Sequence, residues 1–205
     1  MKRILTHGML AATFCLLMAA CNAPNNQETD STEVAEEQNE AKLASDDQQD
    51  DAEFMVKAAS GGLLEVELGR MVMQKASSQQ VKDFGKMMVE DHTKSNQELK
   101  ALAAQKNITI PTAVGEEHQE HINQLAGKSG TEFDEEYMQL MTKDHQEDID
   151  HFSEAAQEAQ DADIKAFAAK SLPVLRHHLQ MAEQMEGMAK NNHRSGSSAA
   201  GQAKE

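Results

Sequence analysis

Two histidines follow aspartates near the middle of long helix-forming runs, as Asp91-His92 in "MVEDHTK" and as Asp144-His145 in "MTKDHQED". Each histidine closes the same i, i+4, i+8 series: Phe84, Met88 and His92 in one run, Tyr137, Met141 and His145 in the other. Residues at those intervals share one face of a helix, so both imidazoles lie with the apolar stripe or close beside it. A third imidazole comes from "LPVLRHHL", where the stripe Leu175, Met181, Met185 selects His178 as the inward residue and leaves His177 outward. In "GGLLEVELG", Glu65 stands three residues after Gly62 and four before Gly69, near the buried side of its own run. Three imidazoles and a carboxylate suit a divalent transition metal such as iron, zinc, copper or manganese. Asp91, Asp144 and Asp148 are placed to act as additional ligands or as partners that orient the rings. The same side chains could equally form a buried hydrogen-bonded network without an ion, and the sequence leaves both readings open.

These residues need elements that bring them to one level, and the hydrophobic pattern supplies them. Met55, Ala58, Ala59, Gly62, Val66, Gly69, Val72, Met73 and Ala76 recur at three or four residues and predict a helix over about 53–76. After caps and a turn at "SSQQ", Val81, Phe84, Met88, Ser95, Leu99 and Leu102 predict a second helix over about 79–105, closed by Asn107 and Pro111. A shorter helix is expected over about 113–126, ending at Gly127 or Gly130. Thr131 is the expected cap of the next helix, about 132–159, whose inner face carries Phe133, Tyr137, Met141, Ile149, Phe152 and Ala156. "DAD" at 161–163 opens the last, with Ile164, Phe167, Ser171, Val174, Leu175, Met181, Met185 and Met188 on its stripe and Pro173 inside it, where a bend is expected. Two hairpins of long helices predict an all-α antiparallel four-helix bundle, with the extra short helix between the two hairpins. Counted from the hairpin turns at 1.5 Å per residue, Glu65, His92, His145 and His178 fall within a few ångströms of one middle layer. Most of the 13 methionines, at helical spacing, read as core, although thioethers on the same stripes could also serve copper.

The segments "GGLLEVELG", "FGKMMVEDHTKSNQEL", "FDEEYMQLMTKDHQEDIDHF" and "LPVLRHHL" resemble a bacterial family of outer-membrane proteins, domain of unknown function 4142, with a ferritin-like bundle. The resemblance covers about 52–190 and implies a ferritin-like fold and an envelope location; it implies little about activity. The sequence departs from di-iron ferritins, because no Glu-x-x-His pair stands at the central layer.

The ends read differently from the bundle. Lys2, Arg3 and the apolar run to "LMAAC" resemble a lipoprotein signal peptide of residues 1–20, with Cys21 as the lipidated first residue of the mature chain. Cys15 would leave with the signal, so no free thiol would remain for catalysis or a disulfide. Residues 21–51, polar and acidic, are expected to be a disordered tether, 52–190 the bundle, and 191–205 a flexible tail. Asn22, where inner-membrane retention would use Asp, favours an outer-membrane anchor facing the periplasm. A net charge of -16 argues against nucleic acid as a partner; the membrane, through the lipid, is the expected partner, and no protein partner is identified. No Gly-rich phosphate loop follows a strand pattern, and the many carboxylates read as helix surface rather than a glycosidase pair. His118 and His121 at i, i+3 read as a solvated face. Two functions of different class remain: an envelope bundle that binds a transition metal for sequestration or stress protection, and a non-enzymatic interaction or stress-response bundle with a structural polar network. Whether any of this supports an enzyme is not decided by the residues.

Overall fold

The computed structural model describes the backbone of residues 30–201 and the side chains of 30–188. The signal-peptide and Cys21 expectations lie outside the described residues. Among the described residues the chain forms six helices and no strand: α1 Ser31–Lys42, α2 Asp46–Lys75, α3 Gln79–Lys106, α4 Glu116–Ala126, α5 Gly130–Glu158 and α6 Ala162–Gly201. Helices α2 and α3 form one hairpin and α5 and α6 the other, and their packing makes an all-α, ferritin-like bundle. Helix α4 crosses over between the hairpins and lies against α2 and α5.

The polar layer divides the core into two apolar clusters. One holds Leu64, Leu68, Val72, Phe84, Met88, Phe133, Tyr137 and Met141. The other holds Met55, Ala59, Leu99, Phe152, Ile164, Phe167 and Leu175. On each long helix the run of buried apolar residues is interrupted by a buried glutamate or histidine, Glu65, His92, His145 or His178, and on α2 by Ser60 as well. The methionines Met55, Met88, Met138 and Met141 are buried within these clusters, filling core space as their spacing suggests.

Helices α2 and α3 approach closely at a pair of glycines. A Cβ on Gly69 would stand 2.7 Å from the Gly85 carbonyl oxygen, and one on Gly85 would stand 2.8 Å from a Val72 methyl. Only hydrogen side chains allow the two backbones to touch there.

The two hairpins also complete each other's turns. Neither Ser78 nor Ser129 caps its helix through its side chain. Instead Asp134, buried on α5, accepts the N–H groups of Ser77 and Ser78 at 2.9 and 2.7 Å in the α2–α3 turn. Asp51, buried on α2, accepts those of Gln160 and Asp161 at 3.0 and 2.8 Å in the α5–α6 turn. The expected Thr131 cap is corrected: α5 begins at Gly130, φ 63°, two residues before its expected start, and Ser129 takes the cap position. Asp161 does cap α6, accepting from Asp163 and Ile164. Asn107 closes α3 in the left-handed region, φ 58°. Helix α6 continues through Pro173; Ala169, whose carbonyl loses its intrahelical donor, is exposed to water.

The tether expectation is corrected for residues 31–51. Asp30 caps α1 through Thr32 N–H at 2.6 Å and also accepts from Glu116 N–H at the start of α4. Asn39 donates to the Thr109 carbonyl at 2.8 Å and accepts from its N–H at 2.7 Å, as a strand neighbour would. With Ala35 and Asn39 buried one turn apart, α1 needs no large apolar residue to dock, which is why its composition concealed it. Residues 46–51 belong to α2, which begins seven residues before its expected start at about 53. Among the described residues the backbone of α6 runs past residue 190 to Gly201.

Candidate metal centre

The middle layer receives one side chain from each long helix. Glu65, His145 and His178 are fully buried and His92 is 6% exposed. His145 Nε2 and His92 Nε2 each lie 3.3 Å from His178 Nδ1. Glu65 Oε1 is 3.3 Å from His145 Nε2, and Glu65 Oε2 is 2.5 Å from His92 Nδ1. Ligand atoms of His92, His145 and His178 all lie within 4.8 Å of one another. His177, the neighbour left outward by the sequence pattern, is exposed.

The outer hydrogen bonds fix where two of the rings carry their protons. His145 Nδ1 donates to the Met141 carbonyl, one turn back on α5, at 3.0 Å; a carbonyl can only accept, so the proton is on Nδ1. His178 Nε2 donates to Asp91 Oδ2 at 3.0 Å. Burial holds the imidazolium forms down: His92 and His178 are lowered to about 4, and His145 is lowered well below its ordinary value by burial and then by its two imidazole neighbours. With one proton per neutral ring, His145 Nε2 and His178 Nδ1 both present lone pairs, and these face each other at 3.3 Å.

The carboxylates around the layer are short of donors. Neither oxygen of Glu65 is hydrogen-bonded, despite their nearness to ring nitrogens, and Asp144 Oδ2 and Tyr137 Oη are buried without a partner as well. Burial raises Glu65 well above the carboxylate range; burial and then Glu65 raise Asp144 and Asp148 in the same direction. Tyr137 is also raised, by burial, then Glu65, then Asp144. Glu65, Asp144 and His145 form a second group of converging ligand atoms. Of the three aspartates picked out in the sequence, Asp91 orients His178, Asp144 enters this second group, and Asp148 lines a void of about 30 Å³ together with Glu65 and His92. Sequence reading did not single out Tyr137 as a polar group at the layer. Its place one turn before Met141 and two before His145 was the available signal.

His118, expected on a solvated face, is part-buried and has Nδ1 3.0 Å from Ser60 Oγ, because α4 lies against α2.

Known proteins place the fold. A sequence profile described as "Domain of unknown function (DUF4142)" matches residues 32–185. No curated protein is significantly similar in sequence. Among solved structures, a DUF305 fragment from Deinococcus radiodurans superposes with a TM-score of 0.61 at 10% identity, over 68% of this chain and 96% of that one. A DUF305 protein from Streptomyces coelicolor gives 0.59 at 11% identity, over 69% and 94%. CopM in its Cu(II)-bound form gives 0.58 at 16% identity, over 67% and 95%. At these identities the likeness is one of fold.

Proposed function

The chain belongs to the DUF4142 family of domains of unknown function, and for it we propose a metal-binding role, in which a transition metal is held in the central layer of the bundle by His92, His145, His178 and Glu65. The observation that carries this is the convergence of ring nitrogens on one point: His145 Nε2 and His178 Nδ1, both without a proton, face each other across 3.3 Å, and His92 Nε2 lies at the same distance from His178 Nδ1. Hydrogen bonds to the Met141 carbonyl and to Asp91 hold them that way, and two lone pairs so placed are suited to share a cation. Nitrogens bound tetrahedrally to an ion at 2.0–2.1 Å lie roughly 3.3–3.4 Å from each other, which is the spacing found here. Asp91 and the Met141 carbonyl then act as the outer partners that orient ligating imidazoles. Iron, zinc, copper and manganese all accept such a donor set. The copper-bound form of CopM, a fold neighbour, keeps copper prominent among them.

The layer supports sequestration of the ion or protection from it more directly than catalysis, because the ligands are almost wholly buried and the void beside them is about 30 Å³, room for little more than a water. The lipobox-like "LMAAC" supports an anchor at Cys21, with Asn22 favouring the outer membrane and a periplasm-facing bundle. Among the described residues no helix is long and apolar enough to cross a membrane.

The 2.5 Å approach of Glu65 to His92 favours a second reading, a structural polar network in a bundle that binds no metal. The two are separated by elemental analysis of protein purified without a histidine tag, alongside a His145→Ala, His178→Ala variant. Near-stoichiometric metal in the parent and its loss in a folded variant is the expected result. Equal metal content in both, or none in the parent after incubation with zinc or copper, would discard the proposal.

A further inference from the structure

A cavity of about 540 Å³ opens on the bundle between α1, α2, α4 and α5 and reaches Asp144 and Asp148. Its wall carries Glu33, Glu36, Glu117 and Glu147, all exposed, and a single lysine, Lys57, which is paired with Glu53 at 2.5 Å. Gly61, one turn before Glu65 on α2, also lines it and presents no side chain. Asp148 lines both this cavity and the small void that holds Glu65 and His92, so it stands between the solvent-filled space and the buried layer.

Inward of Asp148, buried oxygens lack a hydrogen-bond partner: both oxygens of the fully buried Glu65, Asp144 Oδ2 and the phenolic oxygen of Tyr137. Buried acceptors left in this state are costly, and here no Lys or Arg answers them. The imidazole position does not relieve all of them, because its ion would engage Glu65 and leave Asp144. Carboxylate and phenol oxygens are hard donors, matched to manganese, magnesium or calcium rather than to the softer ions that imidazole prefers.

We propose a second cation position inward of Asp148, formed by Glu65 and Asp144, whose ligand atoms converge with His145 within 4.8 Å; it takes a hard divalent cation and shares the Glu65 carboxylate with the imidazole position. The inference rests on the metal-binding reading for its neighbour, not for its own donor set. The cavity supplies its route: a funnel lined by carboxylates concentrates cations and leads them inward past Asp148.

The test uses the full chain, loaded with one equivalent of Zn²⁺ and then titrated with Mn²⁺, with free Mn²⁺ followed by its electron paramagnetic resonance signal. The parent should take up one Mn²⁺ beyond the zinc. Asp144→Asn, isosteric but unable to supply an anionic oxygen, should keep its zinc and lose at least tenfold in Mn²⁺ affinity. Unchanged Mn²⁺ uptake in Asp144→Asn, or no uptake by the zinc-loaded parent, overturns the second position. The imidazole reading fails separately, if His178→Ala retains zinc as the parent does. Circular dichroism on each variant distinguishes lost binding from lost fold.

Discussion

Replacing Glu65 by Gln separates a ligand from a salt-bridge partner, because the two roles predict opposite effects on the metal-free protein. Glu65 is fully buried, has no hydrogen bond to either oxygen, and is pushed by burial above the ordinary carboxylate range, which favours its neutral form in the metal-free protein. As a ligand-in-waiting it is a neutral acid that makes no hydrogen bond, so an amide of the same shape should change metal-free stability by no more than about 1 kcal/mol. With metal the parent gains: at 100 times the dissociation constant a ligand adds about 2.7 kcal/mol, which for a region of this size raises Tm by about 5–11 °C. The Gln variant should lose most of that rise, having exchanged an anionic ligand for a weak one. Thermal unfolding by circular dichroism, in chelator and in excess Zn²⁺ or Cu²⁺, measures both quantities at once. A metal-free variant less stable by about 3–5 kcal/mol would refute the reasoning, because that is the loss expected when an ionised partner of a buried His92 cation is removed.

Three further outcomes follow from the fold. Asp51→Ala and Asp134→Ala each leave two turn N–H groups without their acceptor and should each cost about 2–4 kcal/mol, measured by urea unfolding, whereas alanine at the exposed Asp150 should cost under about 0.5 kcal/mol. Gly85→Ala should destabilise by about 1–3 kcal/mol, since its methyl meets Val72 at 2.8 Å and the Gly69 carbonyl at 3.1 Å; a stabilising result would contradict the close crossing. Asp30 is lowered below its ordinary value of 3.8, chiefly by the Glu116 N–H, so its folded form binds its proton less readily than the unfolded chain does. Its contribution is present above about pH 3.8 and lost as the pH falls through the folded value, so hydrogen exchange at the starts of α1 and α4 should accelerate only below that point, and Asp30→Ala should show fast exchange already at neutral pH.

The sequence disclosed what local periodicity can carry. The 3.6-residue pattern located α2, α3, α5 and α6, and the Leu175–Met181 stripe was enough to tell His178 from His177. It could not disclose contacts whose partners lie far along the chain. Asp51 and Asp134 read as ordinary helix-surface acids, because the N–H groups they accept are 109 and 57 residues away. Helix α1 escaped for a related reason: its hold on the bundle is an Asn amide paired to the backbone at Thr109, and an asparagine in an acidic, polar stretch carries no hydrophobic signal. Tyr137 looked like one more aromatic on a stripe. Only the folded layer revealed that its hydroxyl joins Glu65 and Asp144 among the oxygens that lack a donor.

The exchange of Asp51 and Asp134 bears on how the bundle assembles. Each hairpin owns the acid that finishes the other's bend, so either half alone would have an unsatisfied turn as well as an uncovered apolar face. A two-helix fragment is thus no autonomous unit. The chain must gather residues 46–75 and 130–158 before either bend is secure, which couples the halves into one cooperative transition and delays the central layer until all four long helices have met.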